Sequence, residues 1–322
     1  MRIAVIGAGA MGSIYGGHLS LKNEVYLVDT NAAVVEHLQK EGLKLQENGT
    51  DNLYYPKAVT STEGLEPVDL VILFVKALFS KAALSGNKGI IGPDTYVMTL
   101  QNGSGHEDIL GEFVPQDHII IGTTNDNGAI LGMGYIRHGG VGETNIGMLV
   151  EDTGKFLPKL KEALDSCGFV TTIQENIKQL IWDKMFTNVS LSAVTAILSV
   201  EMGYIAANEH AWYLAERLVR EAAAVARGMG LKADDEKLLA KVRTTSEGSP
   251  NGVTSICADI RAGRKTEVDT ISGSVVRASK KCGVPAPTHE FVVEMIHALE
   301  GRPKNWDRAG KPETAPGNGA GN

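Results

Sequence analysis

Met1-Arg2-Ile3-Ala4-Val5-Ile6-Gly7-Ala8-Gly9-Ala10-Met11-Gly12 opens the chain, a short apolar run that passes directly into Gly-x-Gly-x-x-Gly. The run predicts a buried strand. Gly7 permits a tight turn, Gly9 lets backbone approach a pyrophosphate, and Gly12 lets the following helix pack on the strand. A helix starting near Ala10 then aims its free N–H groups and positive dipole end at phosphate. Residues Gly7, Ala8, Gly9, Ala10, Met11 and Gly12 are therefore the candidate dinucleotide-binding loop. Three glycines alone are a weak signal, and their context strengthens it: a helix through Ser20, a second strand Glu24 to Val28, and Asp29 at its end, where a ribose-binding carboxylate belongs.

Working outward, Val68 to Val75 is almost continuously apolar, as an inner parallel strand covered on both faces should be. Tyr96 to Leu100 and His118 to Thr123 repeat the pattern around a helix-compatible stretch. The fold class is thus α/β, beginning with a doubly wound, Rossmann-type sheet. Between Gly128 and Gly147 the chain is rich in glycine, with short β-prone pieces at Tyr135-Ile136 and Asn145-Ile146. This predicts antiparallel hairpins extending the sheet. An amphipathic helix, Lys155 to Ser166, and a strand within Cys167 to Ile173 close a dinucleotide-binding domain at 1–172. From Gln174 strand signals nearly vanish, and 173–300 reads as a second, all-helical domain. Its predicted helices span Glu175–Val200, Glu209–Met229, Asp234–Thr245, Gly252–Ala262, Thr266–Lys281 and Thr288–Glu300. Thr266 with Asp269 resembles a capping box, and Gly283 with Pro285 stops that helix. The stretch 301–322, rich in Pro, Gly, Asn and Lys, reads as a disordered tail.

The chain has 322 residues, 43% of them hydrophobic, and a formal net charge of -7. That suits two cores and gives no basic surface for nucleic acid and no membrane-binding face. A small molecule is the expected partner. Cys167, Cys257 and Cys282 are odd in number and widely spaced, which fits reduced thiols. With no targeting pattern before the first strand and no apolar stretch long enough to span a bilayer, the expected compartment is the cytoplasm. The eight histidines show no metal-ligand spacing, so no metal is expected, and His138 before Gly139-Gly140 reads as a loop residue. No Gly-x-Ser-x-Gly elbow, Walker-type loop or tyrosine with a lysine four residues on is present.

The helix around Trp182 to Val200 is apolar on most of its circumference and must be largely buried. Lys184, Asn188 and Ser192 nevertheless fall at i, i+4 and i+8, one polar stripe with little solvent face to occupy. A buried ammonium needs a carboxylate or a ligand cavity. The other reading, a lysine snorkelling to the surface beside two tolerated polar neighbours, stands equally on periodicity alone.

Taken together, Gly7-x-Gly9-x-x-Gly12, Lys76 after a strand, Gln101-Asn102-Gly103, Trp182-Asp183-Lys184 with Asn188, Ser255 with Asp259-Ile260, and Lys265-Thr266-Glu267-Val268-Asp269 resemble the ketopantoate reductase family over nearly all of 1–300. The resemblance implies a carboxy-terminal domain like that of 6-phosphogluconate dehydrogenase. It further implies reduction of a 2-keto acid by NAD(P)H, with Lys184 as general acid and Glu267 binding the substrate hydroxyl and helping to hold that lysine. Asn102 would contact nicotinamide and substrate, and Asn188 and Ser255 would hold the acid, with Ser192 where several members carry another asparagine. The leading reaction is ketopantoate to pantoate, in pantothenate biosynthesis. An NAD-dependent dehydrogenase for other branched or aromatic 2-keto acids is the runner-up, and a nucleotide-sensing protein without turnover is the rival of another class. A homodimer is left open.

The cofactor form divides the signals. Val28-Asp29-Thr30-Asn31 lacks the arginine that NADPH-using members carry, and the Asp29 carboxylate accepts from ribose hydroxyls but repels a 2′-phosphate, favouring NADH. Lys76, whose family counterpart lies near the adenosine phosphate, keeps NADPH open.

Overall fold

A computed structural model describes residues 1–303. The apolar opening forms β1 (Arg2–Ile6), followed by α1 (Ala10–Leu19), β2 (Glu24–Val28) and α2 (Ala32–Glu41). Next come a hairpin of β3 (Leu43–Glu47) and β4 (Thr50–Tyr54), then β5 (Lys57–Val59), β6 (Leu70–Leu73), α3 (Ser80–Gly86) and β7 (Tyr96–Thr99). The sheet half is completed by α4 (His106–Leu110), β8 (Ile119–Thr124), β9 (Gly128–Gly132), β10 (Tyr135–His138), β11 (Glu143–Gly147), α5 (Phe156–Asp165) and β12 (Val170–Ile173). One sheet runs β12-β11-β8-β7-β6-β1-β2-β5. Strand order reverses at β1, which pairs in parallel with β2 on one side and β6 on the other. The carboxyl ends of β1 and β6 therefore border the crevice where ligands of open α/β sheets gather.

The hairpin expectation holds only in part. Glu143–Gly147 does extend the large sheet, antiparallel to β8. Gly128–Gly132 and Tyr135–His138 instead join β3 and β4 in a separate four-stranded sheet, with β10 parallel to β3. The reason is burial: Leu43, Leu45 and Ile136 share one core with Ile14 and Leu19 of α1, so this sheet roofs the dinucleotide helix. A Cβ on Gly128 would lie 2.6 Å from Ile14 Cδ1, so any side chain there would have to push Ile14 aside. His138 is consequently a strand residue with a nearly buried side chain, not a loop residue.

The helical half consists of α6 (Ile177–Leu198), α7 (Met202–Ala207), α8 (Glu209–Gly228), α9 (Asp235–Gly248), α10 (Ser255–Arg261), α11 (Ser272–Cys282) and α12 (Pro287–Glu300). Val189, Val219, Ala222, Val242, Val275 and Ile296 bring five of these helices into one core around α6. Gly283 ends α11 at φ 74°, as expected for a left-handed cap. The predicted start of that helix is corrected. No helix begins at Thr266; its N–H and hydroxyl donate to Glu300 at 2.8 and 2.7 Å, its Oγ1 accepts from the Val268 N–H at 3.2 Å, and residues 268–271 form a turn before α11. Asp269 meets His297 at 3.2 Å, so partners on α12 displace the local capping box. No helix among the described residues is long and apolar enough to cross a membrane. The tail reading falls, from residue 304 on, outside the described residues.

Candidate active site

The glycine loop has the shape its spacing predicts. Gly7 adopts φ 106°, and a Cβ on Gly12 would lie 1.8 Å from the Gly7 carbonyl oxygen, so both positions exclude side chains. At Gly9 nothing lies within 4 Å of the Cβ position. The first turn of α1 has neither a side-chain cap nor an acidic residue, so its N–H groups are left for an anion. Asp29 Oδ2 accepts from the Ala8 N–H at 2.8 Å and Oδ1 from the Asn31 N–H at 2.9 Å. A cavity of about 400 Å³, lined by Gly7, Asp29, Thr30, Ser61, Val75 and Phe79, opens beside this carboxylate. An open pyrophosphate approach, free helix N–H groups and an adjoining part-apolar pocket together suit an adenine dinucleotide.

Val75 also lines a second cavity of about 360 Å³, bordered by Met11, Lys76, Asn102, Asp126, Lys184 and Glu267. Asn188 joins Asn102 and Lys184 around a small adjoining hollow. Lys184 Nζ donates to the Thr124 carbonyl at 2.9 Å, and burial alone pushes its pKa below the ordinary lysine value. Of the two partners the sequence leaves open, a carboxylate or a ligand cavity, the first is not met: no ion pair joins Lys184 to Glu267 or to any other described residue. Both instead border the same space, so a ligand cavity takes the place of a counter-charge. Burial pushes the Glu267 carboxyl up, opposed by the Asn102 side chain, the nearby Lys76 charge and the Ala77 N–H. Gly103, at φ 99°, lets the Asn102 loop approach the Glu267 turn; a Cβ there would sit 2.0 Å from the Thr270 carbonyl oxygen.

The remaining candidates are placed unevenly. Ser255 is exposed in the first turn of α10, one turn from Asp259. Ser192 is buried farther along α6 and lines neither cavity. Lys76 does not reach the Asp29 pocket: its ammonium crosses to the helical half, donating to Asp259 at 2.7 Å and to the Lys265 carbonyl at 2.9 Å. Sequence reasoning does not single out Thr124, Asp126 or Asp259 as site residues. Thr124 ends β8, and a position at the carboxyl end of a parallel strand is the signal that could have marked it.

A Rossmann-type sheet with a helical half, and a cleft carrying a part-buried lysine beside a dinucleotide loop, defines an NAD(P)-dependent oxidoreductase. The profile of "Ketopantoate reductase PanE/ApbA" matches residues 3–151 and that of its carboxy-terminal domain matches 176–300. The chain belongs to the ketopantoate reductase family, whose members act on 2-keto acids. It is 32% identical to the 2-dehydropantoate 2-reductase of Pyrococcus horikoshii over 93% of this chain and 98% of that one. With the enzyme of the same name from Streptococcus pyogenes serotype M3 it shares 28%, over the same fractions. Among solved structures, D-mandelate dehydrogenase with NADH and anilino(oxo)acetate superposes with a TM-score of 0.85 at 32% identity, covering 93% of this chain and 98% of that one.

Proposed function

We propose that this chain reduces ketopantoate to pantoate, residues 1–172 holding NAD(P)H and residues 173–300 completing the substrate site. The observation that carries the reading is Lys184, a part-buried ammonium without a carboxylate partner that faces the cavity bordered by Asn102 and Glu267. A ketone becoming an alkoxide needs a proton and a positive field at its oxygen, and a desolvated lysine supplies both. NADH or NADPH, when bound, supplies the hydride. Lys184 then delivers its proton to the carbonyl oxygen, and its lowered pKa makes that release easier. The Thr124 carbonyl orients the ammonium meanwhile. Glu267 and Asn102 hold a substrate hydroxyl, while Asn188, with Ser255 from α10, takes the short acid's polar groups. Ser192 supports this wall only from behind, since it lies outside both cavity linings.

NADH is the favoured donor, because Asp29 borders the adenosine-side pocket and Lys76 is committed to Asp259. The same two observations, with the likeness to D-mandelate dehydrogenase, favour a second reading in which the substrate is another branched or aromatic 2-keto acid. Initial rates with ketopantoate, a branched 2-keto acid and phenylglyoxylate, each with NADH and NADPH, test both. The expected result is highest kcat/KM with ketopantoate and NADH. A higher value with either other acid assigns the second reading, and cofactor binding without turnover of any acid overturns both in favour of a nucleotide-sensing protein.

A further inference from the structure

Behind the cleft, three segments far apart in sequence bring two imidazoles onto one carboxylate. His18 of α1, Glu47 of β3 and His138 of β10 place His18 Nε2, one Glu47 oxygen and His138 Nδ1 all within 4.8 Å of one another. Glu47 Oε1 lies 2.7 Å from His18 Nε2 and 2.9 Å from His138 Nδ1. Their side chains are 15%, 13% and 4% exposed in the order His18, Glu47, His138, so water does little to screen them.

The outward-facing atoms are each already held. His18 Nδ1–H donates to the Cys167 carbonyl at 3.0 Å, and His138 Nε2–H donates to Asp126 Oδ1 at 3.2 Å. The other Glu47 oxygen accepts from Tyr54 at 2.8 Å and Asn52 at 3.1 Å. These outer partners turn both rings so that the remaining nitrogen points at Glu47 Oε1. Two protonated rings satisfy that arrangement by placing two N–H donors, and two added charges, on one oxygen. One divalent cation supplies the same charge at the same place while each ring keeps its outer N–H. Imidazole ligands held by a carboxylate or a carbonyl on their second nitrogen are the usual outer arrangement of a metal site.

We propose that His18, Glu47 and His138 form a binding site for a divalent transition ion of the zinc type, two imidazoles and one carboxylate with water in the fourth position. Ligand bonds of about 2.0–2.1 Å require each ring nitrogen to move from 2.7 and 2.9 Å to roughly 3.3 Å from the Glu47 oxygen, about half an ångström. The ion fastens the small sheet to the dinucleotide helix, through β3, β10 and α1. It has no part in hydride or proton transfer.

The test uses the full chain after chelator treatment, titrated with Zn²⁺ by calorimetry in buffers of different ionisation enthalpy, with Co²⁺ absorption as a spectroscopic readout. One equivalent should bind and raise the thermal midpoint. His18→Gln and Glu47→Gln should each weaken affinity more than tenfold. Tyr54→Phe removes an outer contact only, and should cost about tenfold if the ligand variants prove too unstable to measure. Absence of zinc binding by the parent chain overturns the proposal and leaves a protonated hydrogen-bonded cluster. Binding that all three substitutions leave unchanged also overturns it, since the ion then sits elsewhere.

Discussion

Lys184 occupies a costly position, an ammonium lowered in pKa by burial and held by a single carbonyl. Lys184→Ala should reduce turnover by about 10²–10⁴, the usual contribution of general acid catalysis, with NADH binding retained. Lys184→Met should do the same and raise the thermal midpoint, because an apolar chain of similar length removes a part-buried charge without a counter-ion. Undiminished turnover in either variant removes Lys184 from the mechanism. The sign of the pH effect follows from the direction of the shift: the unfolded chain keeps this proton to higher pH than the folded one, so stability rises with pH between the two pKa values. Activity runs the other way. Reduction requires the charged lysine and should fall as pH rises through a value below the ordinary 10.5. On the acid side, Glu267 is raised above 4.5, so kcat/KM should fall there as pH drops through that raised value. Glu267→Gln should abolish the acid limb while leaving NADH affinity nearly unchanged; an unaltered pH profile would make Glu267 a structural charge.

The strand-to-helix turn separates two kinds of glycine. Gly9→Ala should keep the fold, since its Cβ meets open space, yet weaken NADH binding where the pyrophosphate must approach. Gly12→Ala should lose both stability and binding, because its Cβ meets the Gly7 carbonyl at 1.8 Å. Thermal midpoints and cofactor affinities measured on both variants check the contrast. Equal losses in the two would mean that the turn does not discriminate as described. At the end of β2, a change of cofactor preference also has a structural cost. Asn31 caps α2, accepting from the Ala33 and Val34 N–H groups, so Asn31→Arg should destabilise by about 1 kcal/mol whatever it adds for a 2′-phosphate. Asp29→Ala with Asn31→Arg should move preference towards NADPH and lower the thermal midpoint together. A parent chain that already prefers NADPH would show Asp29 misread.

The two halves of the molecule meet at the cleft, and Lys76 crosses it from the sheet side. Its pair with Asp259, 2.7 Å long and shared with Arg264, joins the segment after β6 to α10. A hydrogen bond to a charged group is worth about 1.5–3 kcal/mol, and the Lys76 end is a third exposed, so Asp259→Asn should cost roughly tenfold in kcat/KM. The loss should shrink at high salt in a comparison of parent and variant. No loss at low salt would mean that the halves stay aligned without this pair.

The local chemistry of this chain was legible without coordinates wherever it depends on neighbours in sequence. Backbone sterics at Gly7 and Gly12, the helix start at Ala10, the left-handed stop at Gly283 and the i, i+4 stripe of Lys184 and Asn188 all act within a few residues. Pairings between distant segments were not legible. Nothing local distinguishes a hairpin at Gly128–His138 that extends the large sheet from one that pairs with β3 over α1; the choice lies in which apolar face finds a core. The Thr266 N–H could close a capping box with Asp269, but Glu300, 34 residues away, accepts it instead. Likewise the pairing of Lys76 with Asp259, and of His18 and His138 with Glu47, shows no spacing signal, because charges and ligands pair through space and the fold alone sets those distances.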